Sequence, residues 1–197
     1  MFISRRSNAG RMTRRMVVLA AGLFACAAQA QVVPSATGPG RSLWLGAEYS
    51  NINASFPYQS NQRLWGIGGF ADYHLAGHIA VEGEARFLRF QGFYGETEDN
   101  YLGGPRYLIR RFGKLQPYAQ CLVGIGKIQY PFQIGTGSYL ALAPGGGANY
   151  RIGRKWVVRG DYEYQMWLNS PKFANEPANE LRPNGFHVGI AYKLFGR

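Results

Sequence analysis

Charged residues spaced two apart are the feature of this sequence best suited to chemistry. Glu82, Glu84 and Arg86 form one such run, and Arg159, Asp161 and Glu163 form another. Glu48, Asp72, Arg106 and Arg110 sit in similar surroundings, between residues that are mostly apolar, aromatic or small. Carboxylates and guanidiniums sharing one face suit ion pairing, because the planar guanidinium fork can hold a carboxylate through two N–H donors. Nucleophilic catalysis needs something else: a hydroxyl or thiol beside a base that an acid orients. The histidines are His74, His78 and His187, and the serines near the longer predicted loops are Ser50, Ser55, Ser60, Ser138 and Ser170. Only His187 falls toward the same end, so a Ser/His187/Glu set at the rim has the right residue types but no support from spacing. His74 and His78 flank a short turn and have no further ligand beside them, so no metal centre is expected. Gly145, Gly146 and Gly147 lack the Gly-Lys-Ser/Thr ending of a phosphate loop and fall within a strand, where a bend or close packing explains them. The basic residues are scattered, without a helix or aromatic platform to organise them, so nucleic acid is not an expected partner. No cofactor and no enzymatic activity are expected.

A spacing of two belongs to β-strands, whose successive side chains point to opposite faces. The terminal segment is a clear case. Phe186, Val188, Ile190, Tyr192 and Leu194 share one face, and His187, Gly189, Ala191 and Lys193 the other. Eight such runs are predicted, at about residues 42–51, 63–74, 78–90, 100–111, 116–129, 138–151, 155–168 and 184–194. Their connections alternate between short links near residues 75–77, 112–115 and 152–154 and longer ones over 52–62, 91–99, 130–137 and 169–182. An even strand number with alternating short turns and long loops is the pattern of an outer-membrane barrel. The expected fold class is therefore all-β: an eight-stranded antiparallel up-and-down transmembrane β-barrel. Apolar faces would then meet lipid, and the charged faces would fill the lumen. The expected lumen network is Glu48, Asp72, Glu82, Glu84, Arg86, Arg106, Arg110, Arg159, Asp161 and Glu163. Trp65, Tyr73, Tyr101, Tyr107, Trp156, Tyr162 and Tyr192 are candidates for interfacial girdles. The basic residues near the short turns (Arg110, Arg111, Lys114, Arg151, Arg154 and Lys155) face either anionic headgroups or solvent.

The start of the chain fits this destination. Residues 1–30 read as a cleaved signal peptide: Arg5, Arg6, Arg11, Arg14 and Arg15 precede an apolar run, and Ala28-Gln29-Ala30 is a small-x-small cleavage site. The apolar run is shorter than the roughly twenty residues that span a bilayer as a helix. Cys26 also stands in a weak lipoprotein-like box, with Phe24 fitting poorly. Removing the signal takes away five arginines, so the net charge falls from +11 to about +6 (11 − 5). Cys121 then remains without a cysteine partner and reads as a small hydrophobe. Residues 31–41 are expected to be a flexible leader and 42–197 the barrel domain.

Residues 144–150 (Pro-Gly-Gly-Gly-Ala-Asn-Tyr), Arg154-Lys155-Trp156 and residues 159–164 (Arg-Gly-Asp-Tyr-Glu-Tyr) resemble the penultimate hairpin of small bacterial outer-membrane β-barrel proteins. These are relatives of the outer-membrane protein A transmembrane domain and of porin-like surface antigens. The resemblance extends over residues 41–195. It implies insertion by the barrel-assembly machinery, which reads an aromatic residue ending the terminal strand; here Leu194 holds the in-register end and Phe195 falls off register. No wall-binding domain follows the barrel pattern, so the wall-anchoring role of longer relatives is not implied. The expected function is structural, envelope-integrity or surface interaction, with a narrow channel or a lipid-modifying enzyme as alternatives and a soluble lipocalin-like binder as a more distant one. Expected partners are outer-membrane lipid and lipopolysaccharide, the assembly machinery, and an unidentified ligand at the extracellular loops; the protein is expected to be a monomer.

Overall fold

The computed structural model of the protein describes residues 41–53, 63–90, 95–130, 132, 135–168, 170 and 181–196. The signal segment, the leader through residue 40 and much of the longer loops lie outside the described residues. Among the described residues nine strands form one antiparallel sheet: β1 (Ser42–Asn53), β2 (Arg63–Ala76), β3 (Ile79–Phe90), β4 (Thr97–Leu108), β5 (Leu115–Gln129), β6 (Thr136–Arg151), β7 (Trp156–Tyr164), β8 (Met166–Leu168) and β9 (Asn184–Gly196). β7 and β8 are two parts of one spanning strand, interrupted at Gln165, and both pair with β6. Sequential pairing runs from β1 to β6, β9 bridges β7 and β1, and the β5–β6 pairing closes the circle. The result is a closed eight-stranded barrel. No helix among the described residues is long and apolar enough to cross a membrane.

Closure follows from alternation. In β3 the buried positions Ala80, Glu82, Glu84, Arg86 and Leu88 interleave with Ile79, Val81, Phe87 and other outward-facing residues. Large apolar side chains such as Ile67, Tyr107, Val188 and Phe186 are exposed on the outside, whereas the buried positions are often charged. This inverts a soluble protein and suits a barrel whose solvent is lipid. Outward aromatics cluster at the two ends. Trp65 stacks on Phe90 with centroids 4.3 Å apart, and Tyr162 meets Phe186 at 4.9 Å, both toward the long-loop end. Trp156 meets Tyr192 at 4.9 Å and His78 meets Tyr107 at 5.8 Å at the short-turn end. From Trp65 to Tyr73 on β2 is about 26 Å along the strand at ~3.3 Å per residue. Strand tilt shortens this to about 20 Å along the barrel axis, near the height of the apolar band of such barrels.

Strand boundaries differ from the sequence expectation by one to three residues, most of all in the fourth strand. The fourth strand lies at Thr97–Leu108 rather than three residues later, so Glu98 and Asp99 belong to a strand and not to a loop. The pairing of Leu88 with Glu98 and of Arg86 with Asn100 sets that register. Arg110 consequently lies past the end of β4 and is exposed. At the other seam, β9 pairs Lys193 with Trp44 and Phe195 with Leu43, leaving Leu194 as the extra residue of a bulge. Directly opposed residues of a sheet share a face. The bulge therefore places Phe195 beside the outward Leu43, so the aromatic that strict alternation puts off register is returned to the lipid side.

Candidate functional site

Three arginines at mid-height carry the lumen. Arg86 on β3, Arg106 on β4 and Arg159 on β7 are each only 1 % exposed. Arg159 reaches Glu82 at 2.5 Å, Glu48 at 3.0 Å and Asp161 at 3.2 Å. Arg86 bonds Glu163 at 2.8 Å, Glu48 at 3.2 Å and the neighbouring Glu84. Arg106 reaches Asp72 at 2.5 Å and Glu82 at 3.0 Å. Glu48 thus joins Arg86 to Arg159, and Glu82 joins Arg159 to Arg106, making one continuous lattice across the lumen. Of the ten residues expected in this network, nine converge there; Arg110 does not, because its strand has ended.

The lattice has neutral supports that the charge pattern alone did not reveal. The Arg106 guanidinium lies 3.4 Å from the centre of the Tyr118 ring, and that of Arg159 lies 3.7 Å from the centre of Phe70. Desolvated stacking of this kind contributes attraction of about 2 kcal/mol. The Tyr118 hydroxyl donates to Asp161 at 2.7 Å, and Arg106 donates to Asn149 Oδ1 at 3.3 Å. Tyr118 and Phe70 hold lumen positions by strand parity, which is the signal that finds them. Phe70 fits because its cross-strand neighbour is Gly46. A Cβ at Gly46 would sit 2.2 Å from the Phe70 ring, so a side chain there would expel the platform under Arg159. Gly147 plays the same part opposite Asp161, whose Cβ would lie 2.4 Å from a Cβ on the glycine.

Toward the long-loop end the lumen turns from charged to apolar. Glu163 accepts from Gln165 at 2.9 Å, and Gln165 accepts from the Trp167 indole at 2.7 Å. Trp167 then packs in a buried cluster with Leu102, Leu122, Ile128, Ala141, Ala143 and Leu181. Glu98 is fully buried and accepts from Asn100 at 2.7 Å, and Glu96 is 1 % exposed. Both fall in the segment expected to be a long loop; Glu98 is interior because β4 begins at Thr97, and Glu96 is buried just ahead of that strand. At the rim the Tyr130 and Tyr139 hydroxyls lie 2.9 Å apart. Burial, and then this hydrogen bond, pushes the Tyr130 phenol well above its usual range.

His187 faces the lumen, between Ser50 and Arg86. Its Nδ1 lies 2.8 Å from Ser50 Oγ and its Nε2 lies 3.2 Å from Arg86 Nη1. A guanidinium offers only donors. Nε2 must therefore accept, which places the ring proton on Nδ1, directed at Ser50. That tautomer cannot take a proton from the serine, so the pair lacks the direction that nucleophile activation needs. Ser170 is likewise occupied, donating to the Trp167 carbonyl at 3.0 Å and accepting from the Leu181 amide at 2.8 Å. Among the described residues, no group of three or more His, Cys, Asp or Glu is arranged to hold a metal ion.

Comparison with known proteins agrees with this geometry. The family model of the outer membrane protein beta-barrel domain matches residues 16–193. Neisserial surface protein A superposes with a TM-score of 0.61 at 13 % identity, covering 77 % of this chain and 97 % of that one. The N-terminal β-barrel domain of Pseudomonas aeruginosa OprF gives 0.53 at 12 % identity, covering 77 % and 97 %. Outer membrane protein OprG of Pseudomonas aeruginosa gives 0.53 at 12 % identity, covering 82 % and 99 %. At these identities the structural likenesses show the shared fold. No curated protein matches by sequence. The family match spans most of the chain and the barrel is closed around a charged interior: the chain belongs to the outer membrane protein β-barrel domain family, a family of the bacterial outer membrane.

Proposed function

We propose that the protein is a closed, non-conducting and non-catalytic outer-membrane barrel that serves envelope integrity or surface interaction through its long loops. The single observation that carries this reading is the lattice itself. Arg86, Arg106 and Arg159 cross the lumen at mid-height and meet carboxylates from β1, β2, β3 and β7. An eight-stranded barrel encloses only enough space for side chains to fill, and here they fill it. Ser50 and His187 add support for the absence of turnover, since their proton is held in the unproductive direction. Lipid and lipopolysaccharide are the partners of the apolar exterior and its aromatic girdles. The N-terminal signal directs export and is then cleaved, and the assembly machinery reads Phe195 at the bulged terminal strand. The barrel acts as a monomer.

Planar-bilayer recording tests the closed lumen. The wild-type protein is expected to give no steps, whereas Arg159→Ala and Glu82→Ala open the lattice and give small ones. Steady conductance from the wild-type protein, unchanged by both substitutions, would overturn the plug.

A further inference from the structure

The basic residues near the short turns do not behave as one group. Arg110, Arg154 and Lys155 are exposed outside the lumen. Arg111, Lys114 and Arg151 instead gather with Lys193 around a recess of about 120 Å³ that opens at the short-turn end of the barrel. For scale, an engineered cavity of about 150 Å³ admits a benzene molecule. Trp44 and Asn149 also line the recess.

Among the described residues, none of these four cations has a carboxylate partner. Asp72 and Arg159 also border the recess, but Asp72 is held by Arg106, and Arg159 by Glu48, Glu82 and Asp161. No carboxylate among the described residues lies within ion-pair distance of Arg111, Lys114, Arg151 or Lys193. Arg111 donates to a neutral acceptor, Gln116 Oε1, at 3.1 Å. Lys193 lies over the Trp44 ring at 5.3 Å. Burial, and then the charge of Arg151, lowers the proton affinity of Arg111, so the two arginines repel each other.

The backbone holds this repulsion in place. Phe112 and Leu115 exchange hydrogen bonds of 2.8 and 3.0 Å across a two-residue turn, with Gly113 at φ 61°. The Arg151 amide donates to the Lys114 carbonyl at 2.9 Å, tying the two cationic links together. Preorganised cations around a concave, solvent-open space are the arrangement that binds a multiply charged anion, with guanidinium donors suited to its oxygens.

We infer that the recess at the short-turn mouth is an anion-binding site for a phosphoryl group, held by Arg111, Lys114, Arg151 and Lys193. The group belongs either to a soluble periplasmic molecule or to a phospholipid headgroup curling under the rim. A phosphoryl group, as a dianionic monoester or a monoanionic diester, presents several acceptor oxygens in different directions and so answers converging cations better than a single carboxylate does. The inference goes beyond the plug, since it needs no change in the lattice above it.

The test is calorimetric titration of the protein in dodecyl maltoside, with ionic strength held constant by chloride. One arm uses inorganic phosphate and the other dihexanoyl phosphatidylglycerol. Saturable binding of either probe is expected, weakened about tenfold or more in Arg111→Gln/Arg151→Gln, as loss of charge-assisted hydrogen bonds implies. Arg111→Lys/Arg151→Lys should retain most of the affinity, and Arg154→Gln/Lys155→Gln all of it. Tighter inorganic phosphate assigns the soluble source; tighter phosphatidylglycerol assigns the headgroup. Absence of saturation for both probes, or equal weakening by the two Gln pairs, would overturn the site. Heat-dependent gel migration, read on every variant, separates loss of binding from loss of the barrel.

Discussion

At the residue scale, Arg159 is the member of the lattice with the most to lose. It pairs with Glu48, Glu82 and Asp161 at once and rests on Phe70. Removing one partner of a buried pair leaves uncompensated charge and costs about 3–5 kcal/mol. Arg159→Ala should lower the unfolding free energy by that amount in urea titrations followed by gel migration. The loss should shrink toward acidic pH, where protonation removes the orphaned negative charges. A loss of similar size for Arg110→Ala would contradict the placement of Arg110 outside the lattice. Most of these participants were legible in the sequence, because alternating charge between apolar residues has few other uses. Their partners were not: which carboxylate meets which guanidinium depends on curvature and side-chain reach, and Glu48 and Arg159 are 111 residues apart. Tyr118 and Phe70 went unnoticed because an aromatic on a strand needs no special explanation.

At the scale of the element, the strands' existence was plain and their ends were not. Period two identifies a face but not where pairing stops. The fourth strand could slide by several residues while keeping Tyr101 and Tyr107 outward, and only its partners on β3 settle its position. The bulge at Leu194 was invisible for the same reason, since it is a property of the β1–β9 pair and not of either strand. Gly46 gives the element-scale prediction. Gly46→Leu must displace Phe70, and overpacking of this kind costs about 1–3 kcal/mol. Adding Phe70→Ala should recover part of that stability. If the double variant is as unstable as the sum of the two single ones, Gly46 and Phe70 are not in contact.

For the whole molecule, the balance of charge at mid-lumen matters more than any one pair. Glu48, Asp72, Glu82, Glu84, Asp161 and Glu163 face only Arg86, Arg106 and Arg159, so six acids meet three bases in the buried lattice. The overall chain has the opposite sign, +11. Conductance released by Arg159→Ala should therefore select cations, read as a reversal potential displaced toward the potassium equilibrium value in a potassium chloride gradient. An anion-selective current would mean that ions pass elsewhere than through the lattice. The composition could not announce this, because net charge sums the turns, the signal and the lumen without regard to place.

The lattice also dates its own completion. Its central arginine is on β7, while the acids it joins are on β1 and β3, near the other end of the chain. The early strands match only part of the set: Arg86 meets Glu84, and Arg106 meets Asp72 and Glu82, before Arg159 is made. On β1 to β4 four lattice acids, Glu48, Asp72, Glu82 and Glu84, still outnumber Arg86 and Arg106. A partly built barrel must therefore keep the excess charge hydrated until β7 and β9 arrive and the seam to β1 shuts. Dehydration of the interior is thus the last event of assembly, and it rewards only chains whose final strand has found the first. The same contacts that seal the finished barrel act as a timer against premature burial, refusing the membrane to any intermediate that lacks its closing strands.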